Sequence, residues 1–333
     1  MMITRYSLLT VLVCSLVLIV PASGHVLVSA DNNDNINAAF SVEKPIKSYA
    51  IYGHLHDAGD VAYYQFRMNP GDWLSLSLMT SGYNKPVPDM IVMSPGMQLP
   101  PDVIPSKISV PAGYGTEIIK GQKPLHTEYE PFSPGAIFKV VTYTKEIPTP
   151  GIYYVTIVSP ADETRYSIAV GYLEEFSPAE WVLVPINVMS THLWEGQSII
   201  AILAPFLAVV VFGFIVISRR EQRKGTNPRI AFWLATVAGL FYLGGAAITV
   251  VQMIRALGIT GPSPAMLLTL FFALIPIVLG LWALRIARSP TPRSLRDRIF
   301  LMLIGVLGLV FWAGLVVGPV IAFSAAVLPA ALQ

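Results

Sequence analysis

Residues Ile199–Ser218 have the sequence IIAILAPFLAVVVFGFIVIS, a stretch without a single charged side chain. A helix of this length rises about 30 Å, which is the thickness of the hydrocarbon core of a bilayer. Three more stretches of similar length and composition follow: Ile230–Ile254, Ala265–Leu284 and Ile299–Phe323. The sequence therefore predicts an α-helical four-span transmembrane bundle over residues 199–323, followed by a short tail.

The charges divide the chain into two parts. Residues 25–198 carry 18 acidic and 10 basic side chains, whereas residues 199–333 carry 2 acidic and 11 basic ones. The acidic first part would repel phosphate, which excludes nucleic acid as a partner. Basic residues cluster after the first and third apolar stretches, as in cytoplasmic loops. We therefore expect a multi-pass protein of the cell membrane whose N-terminal part and C-terminus are both extracytoplasmic.

The first 24 residues have the order of a secretory signal peptide: an arginine, an apolar core and small residues up to Gly24. Cleavage there would make His25 the first residue, and cleavage after Ala30 would make it Asp31. An uncleaved N-terminal anchor is the alternative. The one cysteine, Cys14, lies in this segment, so cleavage would leave neither a disulfide nor a thiol nucleophile.

Between the leader and the apolar stretches, the hydrophobic pattern changes to a period of two. It is clearest in Trp73–Leu78 and recurs in Tyr63–Met68 and Ile152–Val158, with turn residues between them. Such short alternating segments predict an antiparallel β-sandwich over residues 25–173. The predicted core side chains are Tyr64, Phe66, Leu74, Leu76 and Leu78.

Four segments of the predicted sandwich have a recognisable pattern: Gly53–Phe66 (GHLHDAGDVAYYQF), Pro70–Leu78 (PGDWLSLSL), Gly151–Val155 and Tyr166–Gly171. With them, the sandwich resembles the bacterial pre-peptidase C-terminal (PPC) domain. The resemblance covers residues 31–172 and departs from the family at Ala62, where the family has a second aspartate, and in a long proline-rich insertion. It implies a jelly-roll-like accessory module of an exported protein, and some members of the family bind calcium or polymeric ligands.

Calcium is one candidate cofactor. Asp31, Asn33 and Asp34 offer the carboxylate and amide oxygens that calcium takes as ligands. The alternative is that this polar run is a solvated N-terminal leader.

Copper is the second candidate. His54 and His56 are two residues apart on one predicted strand, so both side chains point to the same face. Cleavage after Gly24 would add the amine and imidazole of His25. That set is similar to the copper brace of copper carriers and lytic polysaccharide monooxygenases, and imidazole suits copper. The alternative is a pair of polar-face histidines without a ligand.

The apolar stretches contain no histidine, which excludes a haem-ligating bundle, and no ionisable residue, which argues against a charge-driven transporter. Gly314, Gly318 and Ala322 repeat at intervals of four residues and predict close helix packing, either within the bundle or between two copies. No nucleophile elbow, zinc-protease motif or phosphate-binding loop occurs, so no enzymatic activity is predicted.

Residues 174–198 join the two parts and are apolar rather than rich in glycine and serine. Ser177 and Glu180 have the spacing of a capping box, and Pro185 is expected to prevent a long regular helix. We expect a segment that lies on the membrane surface, with Trp181 and Trp194 at the headgroups. His126 and His192 fall in loop-like contexts without a pattern.

The sequence as a whole predicts a non-enzymatic, membrane-anchored surface protein. Its sandwich would bind a cell-envelope polymer or another membrane protein. Two alternatives remain at this point: an exported copper-handling domain that uses His25, His54 and His56, and an accessory subunit of a membrane complex or transporter.

Overall fold

The computed structural model describes residues 25–97, 107–160, 163–289 and 293–329. The predicted signal peptide, part of the proline-rich insertion and the last four residues of the tail lie outside these ranges. Within them, a β domain is followed by helices, in agreement with the division predicted from composition.

Eleven strands in the described residues form two sheets, ordered β1-β3-β11-β5-β9-β8 and β2-β4-β10-β6-β7. Strands β1 and β2 run parallel to β3 and β4, so the sheets are mixed rather than purely antiparallel as predicted. The strands are β1 (Val26–Ser29), β2 (Phe40–Val42), β3 (Tyr49–Leu55), β4 (Val61–Met68), β5 (Trp73–Thr80), β6 (Asp89–Pro95), β7 (Tyr114–Ile119), β8 (Glu128–Glu130), β9 (Gly135–Glu146), β10 (Gly151–Val158) and β11 (Thr164–Val170).

The core between the sheets follows from the alternation in the sequence. The five predicted core side chains are all buried, at most 1% exposed, because every second residue of β4 and β5 points inward. The hydroxyls of Tyr64 and Tyr166 share a hydrogen bond of 2.7 Å inside this core. Gly53 on β3 leaves the space that the Tyr166 ring occupies, since a Cβ at residue 53 would collide with the ring.

The segment after the sandwich forms one helix, α1 (Pro178–Trp194). Its capping box is present: Oγ of Ser177 accepts from the Glu180 amide, and the Glu180 carboxylate accepts from the Ser177 amide. The prediction that Pro185 prevents a long helix was wrong, because α1 continues through it. A proline in a helix frees the carbonyl four residues earlier, here that of Trp181.

That free carbonyl has a partner far along the chain. The indole Nε1 of Trp312 donates to the Trp181 carbonyl at 2.8 Å, and Nε1 of Trp181 donates to the Leu309 carbonyl at 3.2 Å. The two rings lie 4.4 Å apart. We call this reciprocal contact the Trp181–Trp312 pair.

Three helices of the described residues are long and apolar enough to cross a membrane, which indicates a bilayer environment. They are α2 (Ile199–Arg223), α3 (Ile230–Thr260) and α4 (Met266–Ala287). Helices α3 and α4 approach closely at Gly239 and Gly280, where a Cβ on either glycine would lie under 3 Å from the other's carbonyl oxygen. Small residues allow this van der Waals contact, the main attraction between helices in lipid.

The predicted fourth span, Ile299–Phe323, is not one helix. It forms α5 (Leu295–Val310), a 3-10 turn (Ala313–Leu315) and α6 (Val317–Val327). Because Gly305 lies against Phe323 and Gly308 against Pro319, α5 and α6 run antiparallel as a helical hairpin. Pro319 suits the break: in the first turn of α6 its missing N–H costs nothing, whereas inside a continuous helix its ring would crowd the Leu315 carbonyl.

Both ends of this hairpin therefore lie at the same end of the helices. The guanidinium of Arg293 donates to the carbonyls of Ala325 and Ala231, and that of Arg298 donates to the Leu328 carbonyl. The end of α6 therefore lies on the same side as the start of α5, and the predicted fourth crossing is not confirmed. Residues predicted to form the start of the tail instead continue α6 as far as Val327.

The stripe of small residues is divided by the same break. Gly314 lies in the turn with a φ of +70°, whereas Gly318 and Ala322 belong to α6. A Cβ at Gly314 or Gly318 would touch Tyr242 or Phe241 of α3, and Ala322 is fully buried. In this structure the three residues make contacts within the chain.

The hairpin gives a topological prediction. In a chain with Cys14→Ser, we expect Ser294→Cys and Pro329→Cys to be protected alike from a membrane-impermeant maleimide in intact cells. Both residues lie at the end of the helices where Arg293 and Arg298 are found, and such basic clusters are typical of cytoplasmic loops. Ser41→Cys, exposed on β2, should be labelled. Labelling of Pro329→Cys together with protection of Ser294→Cys would show that the chain crosses the membrane a fourth time after Ser294.

The close contact at Gly53 gives a stability prediction. Gly53→Ala should destabilise the protein by about 1–3 kcal/mol, because the added methyl overpacks the buried Tyr166 ring. Thermal unfolding of the full chain in detergent measures the change. Gly82→Ala is the matched control, since its Cβ would meet only the flexible Lys85 chain at 3.6 Å. Equal melting temperatures for the two variants would contradict the packing described here.

Candidate functional site

The sandwich is joined to the helices at two places. At one, the Thr269 hydroxyl of α4 donates to the Pro131 carbonyl at 2.7 Å and accepts from the Tyr129 hydroxyl of β8 at 2.7 Å. At the other, α1 is held by the Lys47–Glu180 ion pair at 2.8 Å and by a hydrogen bond of 3.0 Å between Tyr52 and Thr191. The two contacts leave a space between them.

That space is a cavity of about 480 Å³, which we call the junction cavity. Its roof is the outer face of the larger sheet. Ala50, Ala169 and Ser77 lie directly opposite one another on β3, β11 and β5, and Ser75 and Ser167 flank them. These side chains are small, whereas the inward-facing residues of the same strands are large. The small outward residues keep the roof clear of the helices.

The floor consists of membrane helices and the hairpin turn. Gly245, Ile248 and Gln252 contribute from α3, Pro276 from α4, and residues 311–315 from the turn. Pro276 lies ten residues into α4, about 15 Å along the helix. The cavity thus extends from the polar underside of the sandwich into the apolar helical layer. This position suits a molecule with one polar and one apolar end.

A buried polar network lies at the polar end. Nδ1 of His192 and the Glu195 carboxylate are 3.1 Å apart, and the same carboxylate oxygen accepts from Nε2 of Gln197 at 3.2 Å. Gln197 and Gln252 exchange two amide hydrogen bonds, of 3.0 and 2.8 Å. The network connects α1, the start of α2 and the middle of α3.

Nε2 of His192 has no hydrogen-bond partner among the described residues, although the side chain is only 2% exposed. His192 borders the junction cavity, but Nε2 itself is enclosed by protein rather than open to the cavity. The ring therefore acts on the cavity through its contact with the Glu195 carboxylate, which it holds in place. Nε1 of Trp194, another lining residue, is likewise buried without a partner in the described ranges.

Carboxylates are concentrated near the same end. Glu130 and Glu195 line the cavity, and Glu174 stands at its exposed rim. Burial raises the pKa of the Glu130 carboxyl, and the nearby charge of Glu174 raises it further, against hydrogen bonds from the backbone of Phe132 and Ser133 that lower it. The cavity end is therefore acidic.

The sequence did not reveal these residues, for an identifiable reason. His192 and Glu195 are three residues apart, the spacing that brings side chains together on a helix. From the sequence, His192 was placed in a loop-like context and Glu195 was not used, so their spacing carried no meaning. Continuing the helix through the proline is the step that would have paired them.

Two of the three predicted calcium residues make hydrogen bonds within the chain. Nδ2 of Asn33 donates to the Tyr63 carbonyl at 3.0 Å, and the side chain is buried. Asp34 accepts from Asn35, which caps the 3-10 helix Ile36–Ala38. Asp31 lies on the exposed surface. The run is thus an ordered part of the sandwich rather than a solvated leader.

The predicted copper residues are brought together only in part. The rings of His54 and His56 lie 4.3 Å apart. His25 hydrogen-bonds to Ser48 and borders the junction cavity. Ser48 precedes His54 by six residues along β3, about 20 Å. Among the described residues, no group of three or more His, Cys, Asp or Glu side chains is placed to hold a metal ion.

Comparison with known proteins bears on the sandwich alone. No model of a known family matches the chain, and no curated protein matches it. Among solved structures, the pre-peptidase C-terminal domain of collagenase from Bacillus anthracis is similar to it, with 16% identity over 40% of this chain and 93% of that domain and a TM-score of 0.22. This is the same domain family that the sequence motifs resemble.

The Lys47–Glu180 contact gives a pH prediction. The hydrogen bond from Lys47 lowers the pKa of the Glu180 carboxyl below its ordinary 4.5. A lowered folded-state pKa means that the contact stabilises the docked α1 at neutral pH and loses this contribution as the pH falls below 4.5. We expect the protection factors of amides in the first turn of α1, which correct for the pH dependence of intrinsic exchange, to fall in acid.

Glu180→Gln should exchange faster at neutral pH and change little on acidification, whereas Glu175→Gln, an exposed neighbour, should behave as the wild type. Constant protection of the wild-type turn down to acid pH would show that this ion pair does not hold α1.

Proposed function

We propose that this chain is a non-enzymatic, membrane-anchored binding protein that holds a small amphipathic molecule in the junction cavity. The observation that carries the proposal is the position of the cavity, half under the sandwich and half among the membrane helices. Its volume of about 480 Å³ lies in the range of pockets for small ligands.

The lining supports an amphipathic ligand. The upper half offers the hydroxyls of Ser75 and Ser77 and the network of His192 and Glu195, whereas the lower half offers Ile248, aromatic rings and Pro276. A polar head would replace water at the top, and an apolar tail would be buried below at about 25 cal/mol for each Å² removed from water. The ligand would come from the adjoining leaflet of the bilayer.

The orientation of the protein is part of the proposal. Two clusters of arginine and lysine, after α2 and after α4, lie at the end of the helices opposite the sandwich. The positive-inside rule assigns that end to the cytoplasm. The sandwich and the junction cavity would then face the outside, and the end of α6 would face the cytoplasm.

The test uses photolabelling of the full chain in phosphatidylcholine nanodiscs. A decanol that carries a diazirine should label peptides that line the cavity, as well as lipid-facing peptides of α2. Ala169→Trp should fill the cavity from its roof and abolish the first labelling while leaving the second.

Ser41→Trp on β2 is the matched control and should retain both. Labelling confined to α2 in the wild type, or cavity labelling that survives Ala169→Trp, would refute the proposal.

A further inference from the structure

We infer that the head group held in the junction cavity is a protonated amine, bound between the carboxylates of Glu130 and Glu195. The inference rests on the proposed function, since it assigns a chemistry to the polar end of that ligand. Three features of the described residues support it.

The first feature is the meeting of two carboxylates from distant parts of the chain. Glu130 is paired with Gly135 across β8 and β9, so its side chain projects on the face where a Cβ of Gly135 would point. Oε1 of Glu195 lies 3.0 Å from that Cβ position. Both carboxylates therefore reach the same corner of the cavity, and Gly135 leaves the space for them.

The second feature is the lack of a basic partner there. In the described ranges, no lysine or arginine forms an ion pair with Glu130 or Glu195, and Lys139, which borders the cavity, is paired with Glu128 at 3.1 Å. Partly buried carboxylates without a cation are unfavourable. An ammonium group would supply the missing charge and donate hydrogen bonds to the two carboxylates.

The third feature is the aromatic wall. Trp194, Phe132, Phe272, Phe311 and Trp312 all border the cavity. Ring faces attract cations, most strongly where water is excluded. An anionic head would meet only repulsion from the carboxylates, and a phosphate-bearing lipid head is disfavoured for the same reason. A neutral alcohol could donate one hydrogen bond to a carboxylate but would leave the pair without a counter-charge.

The experiment compares three probes with one common tail: decylamine, decanol and decanoate. In the full chain with Cys14→Ser, Ser77→Cys places a thiol on the cavity roof. The protein is reconstituted in phosphatidylcholine nanodiscs, and modification of the thiol by a methanethiosulfonate reagent is timed at increasing probe concentration. Ser41→Cys, which is exposed on β2, should show no protection by any probe.

We expect decylamine to protect the thiol at a concentration about tenfold below that of decanol. A factor of that size is the effect of one charge-assisted hydrogen bond. Decanoate should protect the thiol least. Glu130→Gln should bring decylamine to the level of decanol and leave decanol unchanged. Glu146→Gln is the control, an exposed carboxylate on β9 outside the cavity, and should preserve the preference.

Different results would contradict the amine head group and the cavity as a binding site. Equal protection by decylamine and decanol, or a preference for decylamine that survives Glu130→Gln, overturns the amine and leaves a cavity for a neutral amphiphile in place. A lack of protection by all three probes overturns the cavity as a binding site and the proposed function with it.

Discussion

The architecture depends on the Trp181–Trp312 pair. One indole donates to a carbonyl of α1 and the other to a carbonyl of α5, at 2.8 and 3.2 Å. The Trp181 carbonyl cannot be satisfied by its own helix because of Pro185, and the Leu309 carbonyl lies in the last turn of α5, which ends at Val310. The hydrogen bond that Pro185 removes, which would be costly to lose in an apolar layer, is thereby replaced.

The pair fixes the parts that enclose the junction cavity. It holds the hairpin turn beneath α1, and α1 in turn carries Thr191, His192 and Trp194 against the sandwich. If α1 were a straight helix with every carbonyl paired internally, the turn would have no acceptor to reach. The carbonyl that Pro185 leaves free thus fixes the position of the hairpin turn, because Trp312, 127 residues further along the chain, binds to it.

The features that could be predicted from the sequence are those that depend on residues close together in the chain. Alternation in β5 predicted Leu74, Leu76 and Leu78 as core because a period of two depends only on neighbouring residues. The three long apolar helices followed from length and composition in the same way. The break before Pro319 was missed because an apolar run has the same composition whether it crosses the bilayer or turns back within it.

The candidate site was missed for a different reason. It is assembled from β8, α1, α3 and the hairpin turn, and its shape depends on how far the sandwich stands from the helices. That spacing is set by the Tyr129–Thr269 and Lys47–Glu180 contacts, which join residues 140 and 133 positions apart. No local pattern encodes such pairs, so single histidines such as His192 could not be distinguished from ordinary polar residues.

The two faces of β5 have different roles: one contributes to the stability of the sandwich, and the other determines which ligand fits the cavity. Its leucines secure the sandwich on one side, and its serines shape the cavity on the other. Substitutions at Ser75 and Ser77 would change the room available to a ligand without entering the core. A single strand therefore allows descendants of this chain to acquire different ligands by point mutation while the fold stays the same.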